Sequence, residues 1–216
     1  MAKIPFIAVE GPIGIGKTSL AQRISTHFDF HLLKEIVDEN PFLGKFYEDV
    51  SEWSFQTEMF FLCNRYKQLE DIQKNYLMKQ HPIVADYHIA KNMIFARRTL
   101  SGNQLEKYEQ IYEILTKDMP LPNLIIYITG SLETILERIK KRDRKIERNI
   151  DPAYLNQLSS DYDHFMERFE QEHPEIPVLR INGDEQDFVR YPEKLNSIIA
   201  AVEEKLEELM VKGAEQ

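Results

Sequence analysis

The stretch Ile4-Pro5-Phe6-Ile7-Ala8-Val9-Glu10-Gly11-Pro12-Ile13-Gly14-Ile15-Gly16-Lys17-Thr18-Ser19 decides the fold. Its first part, Ile4–Val9, is a short apolar run of the kind that forms a strand buried on both faces. Its second part, Gly11 to Thr18, fits G-x-x-x-x-G-K-[ST], in which glycines let backbone amides turn inward around phosphate oxygens. The amides of Gly14, Gly16, Lys17 and Thr18 also sit where a helix begins, which favours an anion. Lys17 can reach the β- and γ-phosphates of a nucleotide, and the Thr18 hydroxyl can ligate Mg²⁺. Average residue usage gives this pattern by chance in about one chain in a hundred of this length. Here it also follows a predicted strand and opens a predicted helix, Thr18–Phe28, as the mechanism requires.

Further apolar runs follow at Leu32–Ile36, Pro82–Ala85, Leu124–Ile128 and Val178–Ile181, separated by longer stretches of helical character. That alternation predicts an α/β domain with a parallel sheet and right-handed crossovers. Phe55, Met59, Leu62, Tyr66 and Leu69 alternate spacings of four and three, which is the apolar stripe of one helix. Asp151-Pro152 reads as an N-cap followed by proline at the first helical position. Tyr191-Pro192 is expected to open a last helix through Val211, with Lys212–Gln216 fraying. No repeat, low-complexity tract or linker divides the chain, so residues 1–216 are expected to form one domain.

The 216 residues are 43% hydrophobic and 11% aromatic, enough for a sizeable core, which excludes wholesale disorder. The single Cys63 excludes an internal disulfide framework and suggests a reducing compartment. No apolar run approaches the roughly 20 residues that span a bilayer, and the N-terminus lacks the pattern of a signal peptide. A soluble cytoplasmic protein without a membrane partner is the expectation. The formal charge of −9 argues against a nucleic-acid partner. Against that background, seven of the eleven residues from Arg138 to Arg148 are Lys or Arg.

In open α/β sheets the ligand lies beyond the carboxyl ends of the strands. Glu35 follows the second predicted strand and Asp86 the third. An acid ending a strand beside a phosphate loop can hold Mg²⁺ through water. Glu35, followed by Asp38 and Glu39, is by itself equally readable as a solvated carboxylate.

With these residues in place, the chain resembles the deoxyribonucleoside kinases, and among them the bacterial deoxyguanosine kinases of the Bacillus type. The likeness runs through KEIVDENPFLGKFYED, EWSFQTEMFFLCNRYKQ, VADYHIAKNMIFA, RIKKRDRKIER and NGDEQDF. It implies a homodimeric P-loop kinase with a five-stranded parallel sheet flanked by helices and an Arg-rich lid, approximately 138–150. The reaction it implies moves the ATP γ-phosphoryl group to a deoxynucleoside 5′-hydroxyl with Mg²⁺. The resemblance assigns ATP binding to Gly11, Pro12, Ile13, Gly14, Ile15, Gly16, Lys17, Thr18 and Ser19. It adds the loop Asp184, Glu185, Gln186, Asp187 and Phe188 around the donor adenine.

For the acceptor side, the resemblance implies that Glu35 accepts the 5′-hydroxyl proton. Tyr47 and Glu147 contact the sugar, Arg65 lies near the base, and Asp86 serves both substrate and metal, the latter with Thr18. Arg142 and Arg144 match lid arginines over the phosphates and join Glu35 and Lys17 as catalytic residues. Two departures stand out. Relatives carry Asp/Glu-Arg-Ser after the third strand, where this chain reads Asp86-Tyr87-His88. The segment up to Phe95 is also one residue short, which obscures the roles of Lys91 and Asn92.

The basic island then has a local cause, because guanidinium groups match phosphate oxygens and counter charge that develops in transfer. Lys140, Lys141 and Lys145 read as a solvated helix face. Glu58, Phe61 and Arg65 form a stripe beside the core-facing row. An ionised Glu58 offers acceptors only, which suits the adjacent N1–H and 2-amino donors of guanine and not the edge of adenine. Deoxyguanosine is therefore the expected acceptor, with Phe61 stacking on the base and Arg65 on O6 or N7, or holding Glu58. Deoxyadenosine, deoxycytidine or a nucleoside monophosphate are the alternative acceptors, and a non-enzymatic nucleotide switch is the alternative of another class. Cys63 is expected to be a buried thiol, and His88 a structural hydrogen-bonder.

Overall fold

The computed structural model describes residues 4–37, 39–148 and 150–214. Its centre is a parallel sheet of β1 (Phe6–Glu10), β2 (His31–Leu33), β3 (Ile83–Ala85), β4 (Leu124–Thr129) and β5 (Val178–Asn182), in the order β2-β3-β1-β4-β5. The middle strands are apolar on both faces because helices cover both. Every residue of β1 is buried, and Ala8 lies between Ala85 of β3 and Ile125 of β4. The edge strand β5 shows a mixed pattern, with Arg180 and Asn182 exposed.

The helices are α1 (Lys17–Phe28), α2 (Leu43–Glu48), α3 (Val50–Asn75), α4 (Lys91–Thr99), α5 (Gly102–Thr116), α6 (Leu132–Arg142), α7 (Pro152–Glu172) and α8 (Lys194–Ala214). Local chemistry sets several boundaries. Asp49 accepts from Glu52 N at 3.1 Å to start α3, Ser131 from Thr134 N at 3.2 Å to start α6, and Asp151 from Ala153 N at 2.8 Å to start α7. Pro192 lies in a turn before the last helix rather than at its start, and the helix runs on through Ala214, so Lys212–Ala214 are helical. The last two residues of the expected fraying segment lie outside the described residues, as do Asp38 and Asn149.

The stripe predicted for α3 is displaced. The helix buries Ser54, Thr57, Glu58, Leu62, Arg65, Leu69 and Ile72, while Phe55, Met59 and Tyr66 are half-buried. Phe55 and Met59 still pack on the apolar cluster around Met93 and Tyr108, but the deepest side of the helix faces a cavity and is polar. Cys63 lies on the opposite side and is exposed, contrary to the buried thiol expected. Among the described residues no helix is long and apolar enough to cross a membrane.

Candidate active site

The strand order places β1 at the switch in chain direction, where ligands of open α/β sheets bind. A cleft of about 610 Å³ opens there, from the phosphate loop at one end to α3 at the other. Gly11 and Gly16 make the loop possible. Gly11 has φ +146°, and a Cβ on it would lie 2.4 Å from the Ile128 carbonyl oxygen; Gly16, with φ +109°, caps α1. The buried Pro12 and Ile15 root the loop, while Ile13, Gly14, Gly16, Lys17, Thr18 and Ser19 line the cleft. Lys17 Nζ donates to the carbonyls of Gly11 at 2.8 Å and Pro12 at 2.9 Å. Burial, with the Lys91 ammonium nearby, pushes Lys17 down to about 8.

The second strand ends at Leu33, earlier than the predicted Ile36, and the released chain carries Glu35 into the cleft. Asp86, just past β3, ties that segment to the loop. Its Oδ1 accepts from the Glu35 amide at 2.7 Å and its Oδ2 from the Thr18 hydroxyl at 2.6 Å. Glu35 receives Nε of Arg65 at 3.1 Å and a second, shorter bond from Nη2. Lys91 Nζ donates to its two oxygens at 3.0 and 2.9 Å. Burial works to raise the Glu35 carboxyl, but Lys91 and Arg65 overcome it and hold the group well below the usual carboxylate range.

At the α3 end, Glu58 is 2% exposed. Its side-chain partner is the Thr99 hydroxyl at 3.3 Å, which also lies 2.9 Å from the Phe95 carbonyl. Burial pushes Glu58 up to about 7, against the Arg65 charge and the Thr99 bond. Arg65 does not hydrogen-bond Glu58 or leave its fork open. Nη1 goes to Asn92 Oδ1 at 2.6 Å, the other donors go to Glu35, and its guanidinium lies 4.8 Å from the Phe61 ring centroid. Both of its bonds to Glu35 end on Oε1 and are charge-assisted. Phe61 and Tyr47 line the cleft. Burial, reinforced by Glu147, raises the Tyr47 phenol above its usual range, so the hydroxyl stays protonated as a donor.

The basic island divides into parts. Arg138 belongs to the scaffold: it donates to the Ile15 carbonyl, to Gly183 O at 2.9 Å and to Asp187 Oδ1 at 2.9 Å. Arg142 and Arg144 line the cleft and face the buried Glu147, Arg142 through Nε at 3.1 Å and Arg144 through Nη1 at 3.6 Å. Arg148 pairs with Asp143 on the surface. Lys140, Lys141 and Lys145 are exposed. In the loop after β5, Asp184 accepts from Ser131 N at 2.8 Å, Glu185 is exposed, Gln186 is half-buried and Phe188 is buried in the core. Its neighbour Val189, not Phe188, lines the cleft.

Four polar residues of this site have no role assigned by the sequence. Glu10 ends β1, is 2% exposed, and accepts from the amides of Gly11 at 3.1 Å and His88 at 2.5 Å; an acid ending a strand was the signal used for Glu35 and Asp86. Lys91, Asn92 and Thr99 come from α4, whose register the sequence alone did not give. Asn92 links Arg65 to the Tyr108 hydroxyl, 2.9 Å from its Nδ2. Tyr87, in the position of the expected arginine, is buried in an apolar cluster and donates its hydroxyl to Gln68 at 2.9 Å. His88 Nε2 is buried with no hydrogen-bond partner among the described residues, so the ring is not the structural hydrogen-bonder expected. Burial holds it down to about 4 and its ring packs edge-on to Phe169.

Known proteins bear on this arrangement. A family model described as deoxynucleoside kinase matches residues 7–207. The deoxyguanosine kinase of Bacillus subtilis (strain 168) is 54% identical over 204 residues, covering 94% of this chain and 99% of that one. The deoxyadenosine/deoxycytidine kinase of the same organism is 29% identical over 201 residues, or 91% of each chain. A solved structure of deoxyadenosine kinase from M. mycoides with bound dCTP matches with a TM-score of 0.77 at 23% identity, over 92% of this chain and 99% of that one, and supports the fold. With a family match that spans the sheet, the phosphate loop and the cleft residues alike, this chain belongs to the deoxynucleoside kinase family.

Proposed function

We propose that the chain transfers the γ-phosphoryl group of ATP to the 5′-hydroxyl of deoxyguanosine, giving dGMP. The observation that carries the choice of base is Glu58, a buried carboxylate in the acceptor half of a cleft whose other half is a phosphate loop. Once ionised it presents acceptors only, which suits the paired donors of guanine. The 54% identity to a deoxyguanosine kinase supports the same reading. Deoxyadenosine is the second acceptor to weigh, because a group titrating at about 7 is also present in its neutral form, one donor and one acceptor, near neutral pH.

In this reading the loop amides and Lys17 hold the donor phosphates, and Val189 with the 184–188 loop borders the donor base. Tyr47 and Glu147 hold the sugar. Glu35, oriented by Arg65, accepts the proton of the 5′-hydroxyl as the new bond forms. Arg142 and Arg144 exchange Glu147 for phosphate oxygens when nucleotide binds, and so close the lid.

The Thr18 hydroxyl and Asp86 carboxylate, 2.6 Å apart beside the loop, suit Mg²⁺. That ion takes oxygen ligands and is bound in kinases through one or two carboxylates and the substrate's phosphates. Bound there, Mg²⁺ neutralises charge on the β- and γ-phosphates. A single domain over residues 1–216, a homodimer and a cytoplasmic location belong to the same proposal, on the family likeness and the lone cysteine.

The test is a panel assay with labelled ATP, Mg²⁺, the four deoxynucleosides, guanosine and their monophosphates. Fastest turnover of deoxyguanosine is expected. Turnover of monophosphates only would overturn the reading.

A further inference from the structure

Lys91 is an awkward residue for its position. It opens α4, where a cation opposes the helix dipole, and its side chain is 5% exposed, where a charge needs a partner. Its hydrogen-bond partners are the two oxygens of Glu35. Arg65 already gives two bonds to Glu35, both on Oε1. Lys91 is the donor on Oε2, the oxygen that Arg65 leaves open.

The two cations differ in freedom. Arg65 is fastened at Nη1 by Asn92, which the Tyr108 hydroxyl fixes in turn, and its guanidinium lies 4.8 Å from the Phe61 and 5.8 Å from the Tyr87 ring centroid. Among the described residues Lys91 hydrogen-bonds Glu35 alone, on a flexible stem beside Phe95. Lys91 also lines the cleft, and its charge acts on both Lys17 at the phosphate loop and Glu58 in the base half. The cation with the freedom to leave Glu35 therefore faces the cleft.

We propose that Lys91 is a catalytic residue of phosphoryl transfer: when donor nucleotide binds, its ammonium leaves Glu35 for an oxygen of the γ-phosphoryl group and stays there through transfer. This deepens the kinase reading above and rests on it. In the step, the bond from the acceptor 5′-oxygen to the γ-phosphorus forms. The bond from that phosphorus to the bridging oxygen of the nucleoside diphosphate breaks. The hydroxyl proton passes to Glu35, whose oxygens Lys91 has vacated, and Lys91 keeps its own protons. Arg65 holds Glu35 in place throughout.

The experiment compares the unaltered chain with Lys91→Gln, Lys91→Met and Lys91→Arg in single turnover, using ATP and a donor with sulfur on the γ-phosphorus. The acceptor is whichever deoxynucleoside the unaltered chain phosphorylates fastest, with equilibrium nucleoside affinity followed by the fluorescence of the single Trp53. The neutral variants are expected to lose about 10²–10³-fold in transfer rate, as removal of one transition-state donor does. Nucleoside affinity is expected to change by less than about threefold. Lys91→Arg regains part of the rate, and the preference for oxygen over sulfur shrinks in the neutral variants. Lys91→Met, apolar and of similar length, carries the test if Lys91→Gln does not fold. A neutral variant within about threefold of the original rate overturns the proposal. So does one that loses rate while the oxygen–sulfur preference is unchanged, since that marks a partner of Glu35 only. Failure of the unaltered chain with all four deoxynucleosides refutes the kinase reading instead.

Discussion

Glu58 meets Thr99 at 3.3 Å across the α3–α4 packing, and that hydroxyl stands closer to the Phe95 carbonyl, at 2.9 Å. One hydroxyl proton faces two acceptors, so among the described residues the buried carboxylate has a weak donor and no hydrogen-bonded cation. Arg65, Lys91 and Glu35 are the other charged groups that act on it. The charge on Glu58 is thus left for a ligand to stabilise.

Because Glu58 titrates at about 7 in the free protein, base preference should depend on pH. Its charged form favours guanine and its neutral form tolerates adenine. The ratio of kcat/KM for deoxyguanosine over deoxyadenosine should rise by about tenfold from pH 6 to pH 8, since kcat/KM reports groups of the free enzyme. A flat ratio over that range, measured with both nucleosides in the same buffers, would contradict this.

Replacing Glu35 should damage both chemistry and stability. Glu35→Gln removes the proton acceptor, with an expected loss of about 10²–10⁴-fold in kcat. It also leaves Arg65 and Lys91 buried without an anion, a loss of about 3–5 kcal/mol in urea unfolding. An inactive variant of unchanged stability would show that the cations do not depend on Glu35.

Arg138 and Arg142 lie four residues apart and should separate cleanly. Arg138→Ala removes bonds to Ile15, Gly183 and Asp187. It should cost about 2 kcal/mol, lower the melting midpoint by about 4–8 °C and raise the KM for ATP. Among the described residues Arg142 is bonded only within the lid, so Arg142→Ala should leave stability within about 0.5 kcal/mol and lower kcat by about 10²-fold. Equal thermal shifts in the two variants would reject this division.

The sequence made the sheet legible because its central strands are buried on both faces and read as continuous apolar runs. The phosphate loop was legible because its glycines serve backbone geometry. Strand ends were less so: β2 stops at Leu33 because Lys34–Ile36 turn towards Asp86, an interaction 51 residues distant. Contacts of this kind also hid Lys91, Asn92 and Thr99, whose partners Glu35, Arg65 and Glu58 lie on other elements. On α3, periodicity marked the apolar stripe but not the polar side that the cleft buries. Arg138 was indistinguishable from its neighbours in the basic island, since composition does not tell an anchor from a lid. Cys63 was misplaced because its helix turns that position to solvent.

Base reading by Glu58 is tested by the ratio of kcat/KM for deoxyguanosine over deoxyadenosine at pH 8, in the original chain and in Glu58→Gln. Glutamine replaces two acceptors by one donor and one acceptor. A preference for deoxyguanosine is expected in the original chain, with a fall of about 10²-fold or more in the ratio on substitution. An unchanged ratio in Glu58→Gln would show that this carboxylate does not read the base.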